Sequence, residues 1–303
     1  MTASILLTVG LAVLIGISLG LLGGGGSILA VPLLVYVADL PAKEAIATSL
    51  LVVGVTSAVG VLPHVRANRV RWRTGLIFGF AGMTGAYAGG RLAALIPAGL
   101  LLTGFAVMML ATAVAMIRGR RAAEGRPVPH ELPVLGVIVD GIVVGLVTGL
   151  VGAGGGFLVV PALALLGGLP MPVAVGTSLV VIAMKSFAGL AGYLSSVSIH
   201  WGLAAAVTVA AIIGSFAGGR LAGRIPVDIL RKSFGWFVVV MGVFVLAQQL
   251  PAELGRGLAV AAALASAGTV SVAVVRRRQK ERHRGQQRLG HPVRQRAGSG
   301  VER

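Results

Sequence analysis

The chain has 303 residues, of which 56% are hydrophobic and only 12% are charged, and its mean hydropathy is +0.94. Soluble domains carry about 25% charged residues, so this composition excludes an ordinary soluble protein. The apolar residues form repeated blocks of about 20 residues, the length of a helix that crosses a bilayer. The chain has no cysteine, which excludes disulfides, thiol chemistry and cysteine-ligated metals.

The net charge of +17 is distributed as in a membrane protein rather than a nucleic-acid binder. Ten of the 26 Lys and Arg residues lie in residues 276–303, and most of the others lie in short connectors, as in cytoplasmic segments of membrane proteins. The tail is predicted to be cytoplasmic and disordered, with anionic lipid headgroups as a candidate contact and no nucleic-acid partner. The N-terminal residues lack a basic region and are predicted to be a membrane helix rather than a signal peptide.

In chain order, the predicted membrane blocks are Ala3–Ala38, Ala45–Leu62, Thr74–Leu95, Ala98–Ile117, Pro133–Gly168, Val173–Ala191, Gly202–Leu221, Ser233–Leu250 and Gly257–Val275. Glycine runs interrupt the two long blocks at Gly23–Ser27 and Gly152–Gly156. The dozen or so residues after each run would span roughly 20 Å as a helix, which is less than the ~30 Å membrane core. Each long block is therefore predicted to be a membrane helix, a break and a short returning helix.

The sequence contains an internal duplication. The segment from Gly20 to Pro97 aligns without a gap with the segment from Gly149 to Pro226, and 29 of 78 positions are identical. The identities include Trp72, paired with Trp201, together with Pro, Arg and Thr-Ser positions that apolar similarity alone would not preserve. The chain therefore contains two copies of one membrane unit.

Charge predicts opposite orientations for the two copies. The connector 63–73 carries four arginines, whereas its counterpart 192–201 carries no Lys or Arg, so the first is predicted to be cytoplasmic and the second outside. Arg91 stands alone at its helix end, whereas its counterpart Arg220 has further basic residues after it. Equivalent segments with opposite charge signatures predict inverted-topology repeats, each with an odd number of crossings.

The predicted fold is an all-α polytopic membrane protein with two inverted repeats and glycine-broken helices. Membrane repeat one occupies residues 1–118, a basic cytoplasmic linker 119–132, membrane repeat two 133–250, an additional transmembrane helix 251–275 and the basic tail 276–303. Five segments per repeat and one final helix place the C-terminus in the cytoplasm and the N-terminus outside, across the inner (plasma) membrane.

The two breaks are the main candidate for a binding site. Backbone without helical hydrogen bonds is tolerated in a membrane only where it is buried in protein or lines a wet cavity, and paired breaks in inverted repeats indicate a substrate site. Helix N-termini beside a break favour an anion. The alternative is that the glycines only allow close helix packing, as expected at Gly85, Gly89, Gly214 and Gly218. The predicted binding residues at the breaks are Gly24, Gly25, Gly26, Ser27, Gly154, Gly155 and Gly156.

Two duplicated hydroxyl pairs follow the breaks, Thr48-Ser49 and Thr177-Ser178. Their hydroxyls are candidate hydrogen-bond donors to an oxyanion. They can equally bond to carbonyls of their own helices.

Lys185 lies about a dozen residues into its block, at a depth where an ionisable group is costly and usually functional. Its repeat-one counterpart is Thr56, so the charge breaks the symmetry, as expected if one anion binds on a pseudo-axis. The alternatives are a lysine that reaches an interface or pairs with a carboxylate. Asp140 is a candidate partner of Lys185 or a carrier of a coupling proton, and an interfacial position is equally compatible with its place in the block.

The paired glycine–proline runs GLLGGGGSILAVPLL and GLVGAGGGFLVVPAL, with the downstream ATSLLVVG and GTSLVVIAMKSFAGLAGYL, resemble the TauE/SafE family of sulfite-exporter-like permeases. The resemblance covers residues from about 5 to 250. It implies a secondary transporter of small anions such as sulfite, organosulfonates or related sulfur and carboxylate compounds, by alternating access around the two breaks. The final helix and the tail are not part of it.

Two other function classes stay open: a transporter or channel for a non-anionic solute, and a membrane-embedded enzyme. No metalloprotease, paired-aspartate or nucleophile–base pattern is visible in the sequence, so no enzymatic activity, cofactor or metal is predicted. No ATP-binding motif is visible either, so active transport must use a gradient or a partner. Beyond the anion and the lipid bilayer, a homo-oligomer stays open.

Overall fold

The computed structural model describes residues 2–22, 25–118, 134–152, 155–156, 159–160, 163, 169, 171–222 and 227–249. Within them the chain forms nine α-helices and one short 3₁₀ helix, Gly25–Leu29. The α-helices are α1 Thr2–Leu22, α2 Ala30–Tyr36, α3 Ala42–Arg66, α4 Trp72–Ala93, α5 Ala98–Arg118, α6 Val134–Val151, α7 Met171–Tyr193, α8 Trp201–Ala222 and α9 Val227–Gln249. The predicted linker 119–132, final helix 251–275 and tail 276–303 lie outside the described residues.

The predicted helical blocks that fall on described residues are confirmed. The first long block is divided, as predicted, into α1, the 3₁₀ helix and the seven-residue α2. Local chemistry sets the helix ends: α3 follows Pro41 and closes at Ala67, whose N–H donates to the carbonyl of Pro63 at 3.1 Å. Asn68 then adopts φ 52°, the left-handed conformation common for Gly or Asn after a helix. This turn positions the arginine-rich connector.

The duplication is reproduced in the bounds of the helices. With the sequence offset of 129 residues between Gly20 and Gly149, α4 coincides with α8 at both ends. The same offset relates α1 to α6, α3 to α7 and α5 to α9 within a few residues.

The packing of the helices follows the same relation. Helix α1 packs along α8, where a Cβ on Gly16 or Gly20 would collide with the carbonyls of Ala211 or Ser215. Because the residue numbers of the contacting positions increase together along both helices, the two helices run parallel. Helices α6 and α4, their repeat equivalents, pack parallel in the same way. Glycine therefore serves close backbone approach at these crossings, including Gly85 and Gly89 on α4 and Gly214 and Gly218 on α8.

Helices α3 and α7 cross at the centre of the bundle and run antiparallel. A Cβ on Gly54 would lie 3.3 Å from Cβ of Ser186, and one on Gly60 would lie 3.7 Å from Leu179. Since α3 and α7 are equivalent segments of the two repeats, an antiparallel crossing is the arrangement that inverted repeats require. The opposite orientation of the repeats in a membrane remains a prediction from the charges.

Three described helices are long and apolar enough to cross a membrane, namely Ala42–Arg66, Pro172–Tyr193 and Trp201–Leu221. Shorter apolar helical stretches lie at Leu7–Leu21, Ser27–Tyr36, Ala98–Val114, Gly136–Val151 and Gly235–Gln249. The core is formed by α3 and α7 with the helices around them, and large apolar side chains such as Phe80 and Ile213 are exposed. That distribution is typical of a protein whose outer surface faces lipid.

Candidate functional site

The break in repeat two begins where α6 ends. The Gly152 N–H still donates to the carbonyl of Thr148 at 2.9 Å, but Gly152 adopts φ 73° and Gly155 adopts φ 64°. Residues with a Cβ rarely adopt these left-handed conformations. The chain then turns again, and Val159 N–H donates to the Gly155 carbonyl at 3.0 Å. The glycines are thus needed for the shape of the break.

The break is held from the other repeat by Ser49 on α3. The Ser49 hydroxyl, fully buried, donates to the carbonyl of Gly152 at 2.9 Å, across 103 residues of sequence. A Cβ on Gly152 would collide with Ile46, one turn earlier on α3. The first turns of α3 therefore pack directly on the break and satisfy one of its free carbonyls.

Lys185 on α7 is buried in the interior with 1% of its surface exposed. A Cβ on Gly155 would collide with both Lys185 Nζ and the side chain of Thr148, so the amine lies directly against the break. On its other side the stem passes Gly82 of α4, where a Cβ would lie 3.8 Å from Lys185 Cβ and Cδ. In the part of the chain that the structure describes, Nζ has no hydrogen-bond partner. A buried amine without a partner is costly, and this amine lies against the backbone of the repeat-two break.

Buried hydroxyls accompany Lys185 at the crossing of α3 and α7. Thr56 and Ser57 on α3 and Ser186 on α7 are each at most 2% exposed, and their hydroxyls have no hydrogen-bond partner among the described residues. Thr56 and Ser57 are the repeat equivalents of Lys185 and Ser186. The crossing therefore contains two equivalent pairs of unsatisfied polar groups.

Sequence reasoning noted Thr56 only as the counterpart of Lys185 and missed both serines. A signal was available, because Ser57 and Ser186 are identical at equivalent positions, and Ser186 is adjacent to Lys185. Their burial on facing helices emerges only from the fold.

The four predicted Thr and Ser side chains are all buried but have different surroundings. Ser49 contacts the repeat-two break, as described above, and the adjacent Thr48 hydroxyl has no partner in the described residues. Thr177 accepts the N–H of Arg71 at 3.0 Å, at the start of α4, and Ser178 donates to the carbonyl of Val175 in its own helix at 2.8 Å. Substrate binding by these side chains remains a prediction.

Among the predicted residues of the repeat-one break, Gly25, Gly26 and Ser27 form the start of the 3₁₀ helix, and Ser27 is fully buried. Gly24 and Gly154 lie outside the described residues. Gly156 follows Gly155 and is buried. Of the predicted residues, the structure thus brings Lys185 and Gly155 into contact.

Asp140 lies on α6 and is exposed. The Lys185 amine, by contrast, is buried and has no hydrogen-bond partner in the described residues, so Asp140 does not serve as its counter-charge in this structure. A role for Asp140 in coupling remains a prediction. Within the described residues, no group of three or more acidic or histidine side chains is suited to hold a metal ion.

Comparison with known proteins agrees with the resemblance carried by the glycine–proline runs. The profile of the family described as "Sulfite exporter TauE/SafE" matches residues 8–245. A probable membrane transporter protein of Xylella fastidiosa strain Temecula1 is 34% identical over 250 residues, which cover 80% of this chain and 95% of that relative. Probable membrane transporter proteins of Methanocaldococcus jannaschii and Bacillus subtilis (YunE) are each 28% identical, over 262 and 266 residues. These alignments cover 80% of this chain and 96% and 95% of the relatives.

No solved structure matches the chain. The names of the relatives indicate a transporter rather than an enzyme. Since the family profile spans most of the sequence, the chain belongs to the sulfite exporter TauE/SafE family of membrane transporters.

Proposed function

We propose that the protein is a secondary transporter of small anions, such as sulfite, organosulfonates or related sulfur and carboxylate compounds. The anion binds to the Lys185 amine beside the repeat-two break and reaches the two membrane faces by alternating access. The observation that carries the proposal is the buried Lys185 amine, which has no partner in the described residues and lies against Gly155.

The physical argument starts from the cost of burying a cation. Removing an ammonium from water costs several kcal/mol, and an opposite charge with good hydrogen bonds offsets that cost. Asp140 is exposed and does not supply that charge. A bound anion would supply it, and the hydroxyls of Thr56, Ser57 and Ser186 would complete its hydrogen bonds. Gly155 would allow the anion to approach the backbone without a side chain in the way.

The proposed orientation places the connector around Arg69 in the cytoplasm and the connector around Ser196 outside. Four arginines in residues 63–73, against no Lys or Arg in residues 192–201, support it. Transport would use an ion or substrate gradient, since the sequence shows no ATP-binding motif.

Lys185→Met tests the proposal, because methionine keeps the length and removes the charge. A charge-assisted hydrogen bond contributes roughly 1.5–3 kcal/mol, which corresponds to about ten- to a hundredfold in affinity. Calorimetric binding of sulfite, thiosulfate, methanesulfonate and acetate to the purified protein should weaken by that factor for the anion that binds best. Thr56→Val is the matched control at the equivalent position, and a smaller loss is expected because no charge is removed.

Two results would contradict the proposal. Lys185→Met could bind every anion as well as the wild type, in which case Lys185 is not a ligand. Alternatively, the wild type could bind a neutral solute and none of the anions, which would favour a non-anionic substrate.

A further inference from the structure

A cavity of about 750 Å³ opens at one end of the bundle, between α1, α3, α7 and α8. Its lining includes three arginines: Arg66 at the end of α3, Arg69 in the following connector and Arg220 near the end of α8. No carboxylate is among the described residues that line it. Positive charge focused in a concave site raises the local concentration of anions. We call this region the arginine cavity.

The arginine cavity extends inward to the crossing of α3 and α7. Thr56 and Ser57 belong to its lining, and both are buried with hydroxyls that have no partner among the described residues. Thr56 is the repeat equivalent of Lys185. The cavity thus connects the exposed arginines to Thr56 and Ser57, the repeat-one polar groups of the crossing.

The equivalent region at the opposite end of the bundle is tightly packed. A Cβ on Gly219, in the lining of the arginine cavity, would meet no atom within 4 Å. Its repeat equivalent is Gly90, where a Cβ would lie 2.5 Å from the carbonyl oxygen of Gly189 and 3.1 Å from Cα of Gly192. Since L side chains do not tolerate such contacts, α4 and α7 are packed backbone to backbone here.

A hydrogen bond closes the same end. Tyr193 is fully buried, and its hydroxyl donates to the carbonyl of Leu150 at 2.6 Å. The repeat equivalents of these two residues are His64 and Leu21, and both line the arginine cavity. Equivalent positions therefore form an open cavity at the Arg69 end and a closed, hydrogen-bonded contact at the Ser196 end.

We propose that the arginine cavity is the open half of the transport pathway, in which Arg66, Arg69 and Arg220 bind a small oxyanion before it reaches Lys185. The packed region around Gly90 and Tyr193 is the closed half of the same pathway. This inference rests on the proposed function, because it supplies the route to the Lys185 site.

The first test compares two repeat-equivalent cysteines in this naturally cysteine-free chain. Ser215 lines the arginine cavity, and its equivalent Ala86 is 1% exposed in the packed region. In membrane vesicles, Ser215→Cys should react with a small charged methanethiosulfonate added at the Arg69 face, and Ala86→Cys should react many-fold more slowly from either face. Equal rates for the two variants, or reaction of Ser215→Cys from the Ser196 face alone, would overturn the open-and-closed assignment.

The second test concerns the arginines and uses methanesulfonate, which does not react with thiol reagents. This anion should protect Ser215→Cys from labelling. Arg220→Gln should raise the half-protecting concentration about two- to fivefold, the effect of one partly exposed charge pair. Arg91→Gln, the equivalent position at the closed end, should leave it unchanged. The absence of protection, or equal effects of the two variants, would refute anion binding in the cavity.

The two proposals fail separately. If Lys185→Met binds anions normally while Arg220→Gln weakens protection, the cavity site stands and the deep site is wrong. If Lys185→Met weakens binding while the two cysteines label equally, the deep site stands and the assignment of the open half is wrong.

Discussion

The hydroxyl of Ser49 connects α3 of one repeat to the break of the other, and Ser49→Ala removes that connection with little change in volume. The substitution eliminates the 2.9 Å hydrogen bond to the Gly152 carbonyl. Its repeat equivalent, Ser178→Ala, is a matched control, because that hydroxyl bonds to Val175 in its own helix rather than to the other repeat. Both serines are fully buried, so the two substitutions differ in the hydrogen-bond acceptor that is lost rather than in burial.

The expected cost of Ser49→Ala follows from what remains behind. A buried acceptor that loses its donor costs about 1–3 kcal/mol, whereas hydrogen bonds between membrane helices average about 0.6 kcal/mol with a maximum near 1.7. We therefore expect Ser49→Ala to lower the free energy of unfolding by about 1–2 kcal/mol. Ser178→Ala should cost less than about 0.5 kcal/mol, since a hydroxyl bonded back to its own helix does not stabilise that helix.

Equilibrium unfolding of the purified protein in mixed micelles, with increasing sodium dodecyl sulfate, measures both changes. The quantity of interest is the difference between the two variants, because general effects of serine removal cancel in it. Equal losses, or a larger loss for Ser178→Ala, would refute the view that Ser49 holds the break. A fold intact by circular dichroism is required of both variants.

Three further outcomes are expected. Gly155→Leu should abolish transport while the protein still inserts, because a side chain there collides with the Lys185 amine and the backbone has φ 64°; wild-type uptake into vesicles would reduce this glycine to a packing element. Cysteines at Asn68 and Ser196 should be labelled from opposite membrane faces, and labelling of both from one face would exclude inverted repeats. Tyr193→Phe removes one buried hydrogen bond, so it should raise the labelling rate of Ala86→Cys roughly two- to tenfold; an unchanged rate would show that this bond does not keep the end closed.

Much of the fold was predictable because membrane helices carry a strong local signal. The length of each apolar block fixes a helix, and the duplication predicts equal bounds for α4 and α8. The breaks were predictable for the same reason, since the runs GGGGS and GAGGG lack the side chains that pack a helix in place. The apolar blocks, the duplication and the glycine runs do not indicate which end of the bundle is open, because that depends on how α4 packs against α7.

The candidate site was predictable in its parts but not in its contacts. Lys185 is prominent as a charge within an apolar block, and Gly155 as a member of a glycine run. Their contact depends on the way α7 crosses the end of α6, which no local pattern encodes. The hydroxyl pairs show the same limit, because identical Thr-Ser sequences acquire different partners: Ser49 faces the repeat-two break, whereas Thr177 faces the backbone of Arg71.

The differences between the two repeats bear on how the open and closed halves of the proposed pathway would exchange. If the two ends exchange roles, the packing that separates at the Gly90 end is replaced by equivalent contacts at the Gly219 end, where Gly60 matches Gly189 but Pro63 and His64 stand in place of Gly192 and Tyr193. The balance is then set by positions where the repeats differ. Tyr193 donates a buried hydrogen bond, whereas Nδ1 of its equivalent His64 has no partner among the described residues. Glu44 accepts the backbone N–H of His200 at 3.1 Å, and the equivalent N–H of Arg71 donates to Thr177 at 3.0 Å.

The Tyr193 hydrogen bond stabilises closure of the Ser196 end and has no counterpart among the described residues of the other repeat. It therefore favours the arrangement in which the Ser196 end is closed. A ligand shifts such an equilibrium only through its different affinity for the two states. Lys185 and its equivalent Thr56 lie at the crossing of α3 and α7, which both halves of the pathway share. An anion bound there can contact Lys185 whichever half is open. A single lysine at that crossing thus suits a site that serves both faces, whereas a lysine in each repeat would place two like charges there and disfavour the empty protein.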